Sequence, residues 1–214
     1  MLNEWDSKTL LKTAGVMTPH GIISPDPNIT LAHDLSYPVV VKAVSADLPH
    51  KSECEAVMVG LTTPDEADTA ANTISQNCAR LAPKARIDGI LIEEMITAPV
   101  AEVMVSLRRD DQFGCILTMA SGGVMVELLK DAVTVIMPTD AAGLDEAIDQ
   151  LAVARLIAGY RGKAAGNRKA LNEAIMTLTH IMANDANISM IEINPIMITP
   201  DEAIAADAVI HIRA

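Results

Sequence analysis

Aromatic residues make up only 2% of the 214-residue chain, although half of its residues are hydrophobic. An interior built from this composition must be packed by Val, Ile, Leu, Ala and an unusual share of Met. Runs of Lys and Arg are also lacking, and 16 basic against 28 acidic residues leave a net charge of -12. That balance opposes nucleic-acid backbone and anionic lipid, so neither is expected as a partner. Cys54, Cys78 and Cys115 are far apart, without metal-ligand spacing. This argues against a zinc motif and fits a reducing compartment. No uninterrupted apolar run is long enough for a bilayer, and Glu4, Asp6 and Lys8 interrupt the N-terminal apolar residues. A soluble cytoplasmic protein is expected. No internal repeat or low-complexity tract is visible, and the length permits either one large domain or two small lobes sharing a cleft.

What is present reads as an α/β chain. Leu10, Leu11 and Ala14 recur at helical spacing before Gly15, predicting a short opening helix over 5–14. Pro19, Gly21, Pro25 and Pro27 mark the following stretch as a connection. The β-branched run Tyr37-Pro38-Val39-Val40-Val41-Lys42 predicts a buried strand ending at Lys42, with a second strand over 57–61. Thr63-Pro64-Asp65-Glu66 combines an N-cap, a proline at the first helical position and an acid at the third, so a helix should run from there towards Arg80. Further strands are expected over 87–95, 101–107, 115–119 and 132–137, and helices over 144–158 and 167–183. Thr97-Ala98-Pro99 offers a hinge. In the alternating stretch 101–107, Glu102, Met104 and Ser106 share one face. The chain closes with strands over 188–198 and 203–212 around Thr199-Pro200-Asp201-Glu202, a hairpin signature.

That hairpin carries a geometric consequence. With Pro200 and Asp201 as central turn residues, facing positions have numbers that sum to 401, which sets Asn194 opposite Asp207. Directly opposed residues have Cβ atoms about 4.5–5.5 Å apart, near enough for two oxygen-bearing side chains to share a hard cation. Glu192 lies on the same strand face. Magnesium takes few protein oxygens and fills its shell with water and phosphate, so a sparse pair suits a metal-nucleotide complex; alternatively Asn and Asp simply organise a turn. Lys42 poses a similar choice between snorkelling to solvent and aiming its ammonium at an anion. The polar loop Ser45 to Ser52 brings Lys51 and His50 towards the same region. A neutral histidine can relay a proton or accept a phosphoryl group, or be an ordinary surface residue.

Residues 37–61, 90–95, 101–114, 122–129, 153–162 and 191–195, with the pieces LPHKS, RRDDQFG, GYRG and EINP in this order, resemble the ATP-grasp domain of ADP-forming acyl-CoA synthetases. The similarity covers nearly the whole chain. It implies a two-lobed ATP-grasp fold of α/β (α+β) class with a nucleotide cleft between the lobes. The expected organisation is a single domain over 1–214, with an N-terminal helix and connection (1–19), a smaller lobe (20–92) and a larger one (93–214). The implied chemistry interconverts acyl-CoA, ADP and phosphate with free acid, CoA and ATP through a phosphohistidine. The chain shows no CoA-binding or phosphohistidine domain, which are therefore expected upstream in the same polypeptide or on a separate subunit. By the same resemblance, Lys42 matches the lysine that contacts the nucleotide phosphates. Glu93, Glu94 and Met95 match the segment beside the adenine, Glu102 the acid near the ribose, Asn194 and Asp207 the Mg2+ ligands, and His50 a loop histidine that helps carry the phosphoryl group.

Two departures from the family pattern matter. Glu55-Ala56 stands where the family usually has Gly-Gly, whose backbone can approach phosphate closely; a carboxylate facing a triphosphate would repel it. Ala120 replaces a glycine before Ser121-Gly122-Gly123. The alternative to an ATP-binding enzyme component is therefore a catalytically degenerate regulatory or scaffolding module. In GYRG, Tyr160 is expected to pack, with Arg161 open to a phosphate or carboxylate. Met104, Met119, Met125 and Met137 are expected in the core, and Arg108 to Asp111 in a solvated turn.

Overall fold

The computed structural model describes residues 1–25, 34–48, 51–122 and 131–213. They form two compact units. One comprises residues 3–6 and 19–97, the other residues 1–2, 7–18 and 98–214. The boundary expected at 92/93 falls inside a strand, and the first unit continues to Thr97. No helix of the described residues is long and apolar enough to cross a membrane.

In the first unit, strands β1 (Gly21–Ser24), β2 (Val39–Val44), β3 (Val57–Leu61) and β4 (Gly89–Glu94) form an antiparallel sheet in the order β1-β4-β2-β3. Helix α2 (Pro64–Leu81) packs on it through Ala67, Ala70, Ala71, Ile74 and Cys78, a single stripe at helical spacing, against Val39, Val41 and Ala43. Thr63 caps the helix by accepting from the Glu66 amide at 3.2 Å, and the Glu66 carboxylate accepts from the Thr62 amide at 2.7 Å. β2 continues two residues past Lys42 to Val44, because Ala43 and Val44 are themselves buried. The connection expected over 16–28 contains β1, which pairs with β4 from Gly21↔Glu93 to Ser24↔Ile90.

In the second unit, β5 (Ala101–Asp110), β6 (Gly114–Ser121), β7 (Ala132–Met137), β8 (Ile188–Ile198) and β10 (Ala208–Ile212) form an antiparallel sheet ordered β10-β8-β5-β6-β7, with the short β9 (Ala203–Ala205) also on β8. Helices α3 (Ala141–Ile148) and α5 (Arg168–Asn184) cover one face through Leu144, Ile148, Leu171, Ile175 and Leu178, against Val103, Val105, Leu107, Ile191 and Ile193. Asn167 caps α5 by accepting from the Ala170 amide at 2.9 Å. Glu102, Met104 and Ser106 alternate with the buried residues of β5 and so lie on the opposite face. Met119 and Met137 are buried as expected, whereas Met104 sits half-buried on that opposite face; Met125 lies outside the described residues. The single helix expected over 144–158 is split into α3 and the one-turn α4 (Ala154–Ile157), because the Asp131 carboxylate draws the Ala152 amide out of the helical ladder at 2.9 Å. The first residues of the chain divide between the units: α1 (Glu4–Thr13) begins with Glu4 in the first and continues from Ser7 in the second.

Candidate functional site

In the first unit, Lys42 does not reach solvent. Its Nζ lies 2.8 Å from Oε1 of Glu4 and 2.5 Å from Oε1 of Glu93, and Lys51 Nζ lies 3.0 Å from the other oxygen of Glu4. All four residues are buried. Two ammoniums and two carboxylates cancel, which is how β2 tolerates a lysine between buried neighbours. Lys51 comes to the same place as Lys42, as the polar loop suggests. Glu4 was not among the sequence candidates, since nothing in the opening helix signals that its first acid turns inward. Glu93 proves to be an ion-pair partner of Lys42. His50 lies outside the described residues.

Glu94 ends β4 and Met95 follows it. The Glu94 carboxylate accepts from the Ser36 amide at 2.9 Å, with His20 Nδ1 at 3.5 Å. The Ser36 hydrogen bond, assisted by His20 and opposed by burial, holds the Glu94 carboxyl below the usual carboxylate range. The backbone amides of both residues are already used, Glu94 donating to the His20 carbonyl at 2.8 Å and Met95 to that of Pro38 at 2.9 Å.

In the second unit, the closing hairpin has the register its turn requires. Ile196 pairs with Ala205, and Ile193 with Ala208, so the facing numbers sum to 401. Between these pairs the Asn194 amide donates to the Asp207 carbonyl at 3.1 Å, placing the two residues opposite one another. The register with β5 shifts between Val103↔Ile196 and Val105↔Ile193, an extra residue on β8 that leaves both isoleucines buried and Asn194 exposed. Glu192 pairs with Ser106 and, like it, is half-buried. Glu102, Ser106, Glu192, Asn194 and Asp207 thus supply oxygen donors across the sheet face that the helices leave open. Among the described residues no group of three or more His, Cys, Asp or Glu side chains is arranged to hold a metal. Asn194 and Asp207 are a two-oxygen set of the kind that suits Mg2+ when water and phosphate supply the remaining ligands.

Glu102 also borders a cavity of about 530 Å3 at the start of β5, with Gly122, Val153, Arg155, Leu156 and Tyr160 in its wall. Gly122 closes tightly on β5, its amide donating to the Glu102 carbonyl at 2.6 Å.

A family profile described as ATP-grasp domain matches residues 1–212. The chain belongs to the ATP-grasp domain family. It is 33% identical over 210 residues to the β subunit of the ADP-forming acetate–CoA ligase I of Pyrococcus furiosus, covering 97% of this chain and 90% of that subunit. It is 34% identical over 206 residues to a trans-feruloyl-CoA synthase of an unknown prokaryotic organism, covering 95% of this chain but only 29% of the synthase. Among solved structures, acetyl-coenzyme A synthetase 1 of Ca. Korarchaeum cryptofilum, in complex with coenzyme A, Ca-AMPCP and HgCl+, superposes with a TM-score of 0.92 at 28% identity, covering 99% of this chain and 93% of that one. The mixed α/β architecture with antiparallel sheets is that of the ATP-grasp fold.

Within this ATP-grasp chain, the departure at Glu55 has a conformational side. Glu55 adopts φ 50°, the left-handed region that favours glycine. Its side chain is exposed and directed at Arg80 on α2, 3.4 Å away, while Ala56 is fully buried in the core beneath α2. The carboxylate expected to repel a triphosphate is therefore turned towards a helix cation in a solvent-exposed pair. Glu55→Gly should relieve the backbone cost and raise stability by about 1 kcal/mol, or roughly 2–4 °C in Tm; a scanning-calorimetry midpoint below that of the parent would contradict it.

RRDDQFG is structural and is no solvated turn at Arg109. The Arg109 guanidinium donates to the carbonyls of Ile188 at 2.8 Å and Asp185 at 3.0 Å, and to that of Met182, closing the C-terminal end of α5. Asp110 accepts from the Gln112 and Phe113 amides and shapes the β5–β6 turn.

Proposed function

We propose that this chain is the ATP-binding component of an ADP-forming acyl-CoA synthetase, working on the interconversion of acyl-CoA, ADP and phosphate with free acid, CoA and ATP. The observation that carries the reading is the register that sets Asn194 against Asp207 on the open sheet face that also bears Glu102, within a chain that matches the ATP-grasp domain along its length. In this reading Asn194 and Asp207 hold Mg2+, Glu102 accepts from the ribose hydroxyls, Glu94 and Met95 lie beside the adenine, and Lys42, whose buried ammonium is held by Glu4 and Glu93, is the proposed phosphate contact once nucleotide draws it out of that ion pair. When bound, Mg2+ would cancel phosphate charge, and phosphoryl transfer needs little beyond alignment and such cancellation. His50 is the proposed carrier of the phosphoryl group on this chain. CoA-binding and phosphohistidine domains are the proposed partners. Relatives in which this region spans 90% of a β subunit, and others in which it is 29% of a longer synthase, support either a separate subunit or an upstream segment as their location. The two compact units are the proposed lobes of one ATP-grasp domain, in a cytoplasmic setting where thiols stay reduced. The side chain of Glu55, turned to Arg80, weakens the case for a degenerate module.

Calorimetric titration with Mg-ATP tests the proposal. Binding is expected at millimolar nucleotide or below, and Asp207→Asn should weaken it by about tenfold or more, the loss of a charged ligand. Asp207 is a cleaner probe than Lys42, because a Lys42 variant also unbalances two buried carboxylates. No heat of binding at millimolar Mg-ATP, or unchanged affinity in Asp207→Asn, would sink the reading.

A further inference from the structure

GYRG meets the cavity beside Glu102 at Tyr160. The chain has one Trp, two Tyr and one Phe; Phe113 is exposed at the β5–β6 turn, whereas Tyr160 is exposed beside a cavity. Tyr160 is 46% exposed and lines that cavity. The turn around it is built to present it. Gly159, Arg161 and Gly162 have φ of 87°, 52° and 79°, and a Cβ on Gly159 would come within 2.9 Å of the Lys163 carbonyl oxygen. For Arg161 this left-handed conformation is a strain that a glycine would avoid. It sets the guanidinium over the Tyr160 ring, 5.2 Å from the centroid, an arrangement that fixes the ring by cation–π attraction. The rest of the wall is mainly aliphatic, with Val153 and Leu156; Glu102 is its carboxylate and Arg155 its guanidinium. A mainly apolar slot with one aromatic ring, one carboxylate and one guanidinium suits a planar heteroaromatic base attached to a hydroxyl-bearing sugar and its phosphates.

We propose that Tyr160, braced by Arg161, is the base-stacking platform of the nucleotide site. The inference rests on the ATP-binding reading and adds to it a residue that recognises the base and not the phosphates. GYRG is then a presentation turn, its glycines allowing the left-handed path and its arginine stiffening the ring.

The test compares Mg-ATP with Mg-tripolyphosphate, which offers phosphates and metal but no base, by calorimetry on the full 214-residue chain. Tyr160→Leu is expected to weaken Mg-ATP by roughly tenfold or more and to leave Mg-tripolyphosphate within about twofold, an experimental tolerance small beside the tenfold expected for ATP. Tyr160→Phe, which keeps the ring, should retain both affinities. Tyr160→Gln serves as a second ring-deleting variant if the leucine form does not fold, and the same ratio is read from it. Unchanged ATP affinity in the ring-deleting variants would overturn the inference while leaving the ATP-binding reading intact. So would an equal loss for both ligands, since that marks a residue that shapes the fold. A parent chain that binds neither ligand would overturn both the functional reading and the platform.

Discussion

Glu4→Ala is expected to cost about 3–5 kcal/mol of stability, the usual consequence of removing one partner from a buried ion pair. The carboxylate bridges two lysines, one on each oxygen, and Lys42 and Lys51 are each only 7% exposed. Deleting it removes a carboxylate partner from each of two buried ammoniums at once. The loss should exceed that of an exposed pair such as Lys169–Glu173, 3.4 Å apart, where solvent screening leaves little net gain. It should also persist in high salt, because buried charges are poorly screened. Glu4→Gln keeps the shape and one acceptor oxygen and should lose less. Urea denaturation in low and high salt checks this: a loss below about 1 kcal/mol for the alanine variant would mean that water or rearrangement already compensates the lysines.

That quartet also marks the limit of what the sequence disclosed. A lysine in the run Val39 to Val44 is visible, and so is the choice between solvent and an anion. Its partners are not, because Glu4 and Glu93 are brought to it only by the folded sheet and the first turn of α1. The closing hairpin was legible for the opposite reason. Its turn and strands are contiguous, so a two-residue turn fixes every facing pair, and Asn194 opposite Asp207 follows from counting. Helix α2 was equally plain, since its cap and its apolar stripe are local. Elements decided by distant contacts were lost. β1 lies among prolines and exists by pairing with β4, and the break between α3 and α4 depends on the Asp131 carboxylate, with no Gly or Pro to announce it. Tyr160 is half exposed and not packed, which was not legible because a sequence shows that an aromatic follows a glycine, and not whether the turn carries it inward or out to a cavity.

Gly122→Val should lower stability by about 2–3 kcal/mol, towards the upper end of what overpacking costs. Even a single Cβ at this position would lie 2.6 Å from the Glu102 carbonyl carbon and 2.8 Å from its Cβ and carbonyl oxygen. The obstruction is mostly main chain on β5, which cannot yield as the end of a flexible side chain would, and the two further methyls of valine enlarge it. Relief requires the end of β6 to draw back from β5, breaking the 2.6 Å hydrogen bond from the Gly122 amide to Glu102. Glu102 would then move from its place on the cavity wall. The fold penalty and a fall in Mg-ATP affinity should therefore appear together. The affinity loss should be absent for Mg-tripolyphosphate, which has no ribose for Glu102 to meet. Equal weakening of the two ligands would place Glu102 away from the sugar, and a valine variant as stable as the parent would show that the β5–β6 end opens without cost.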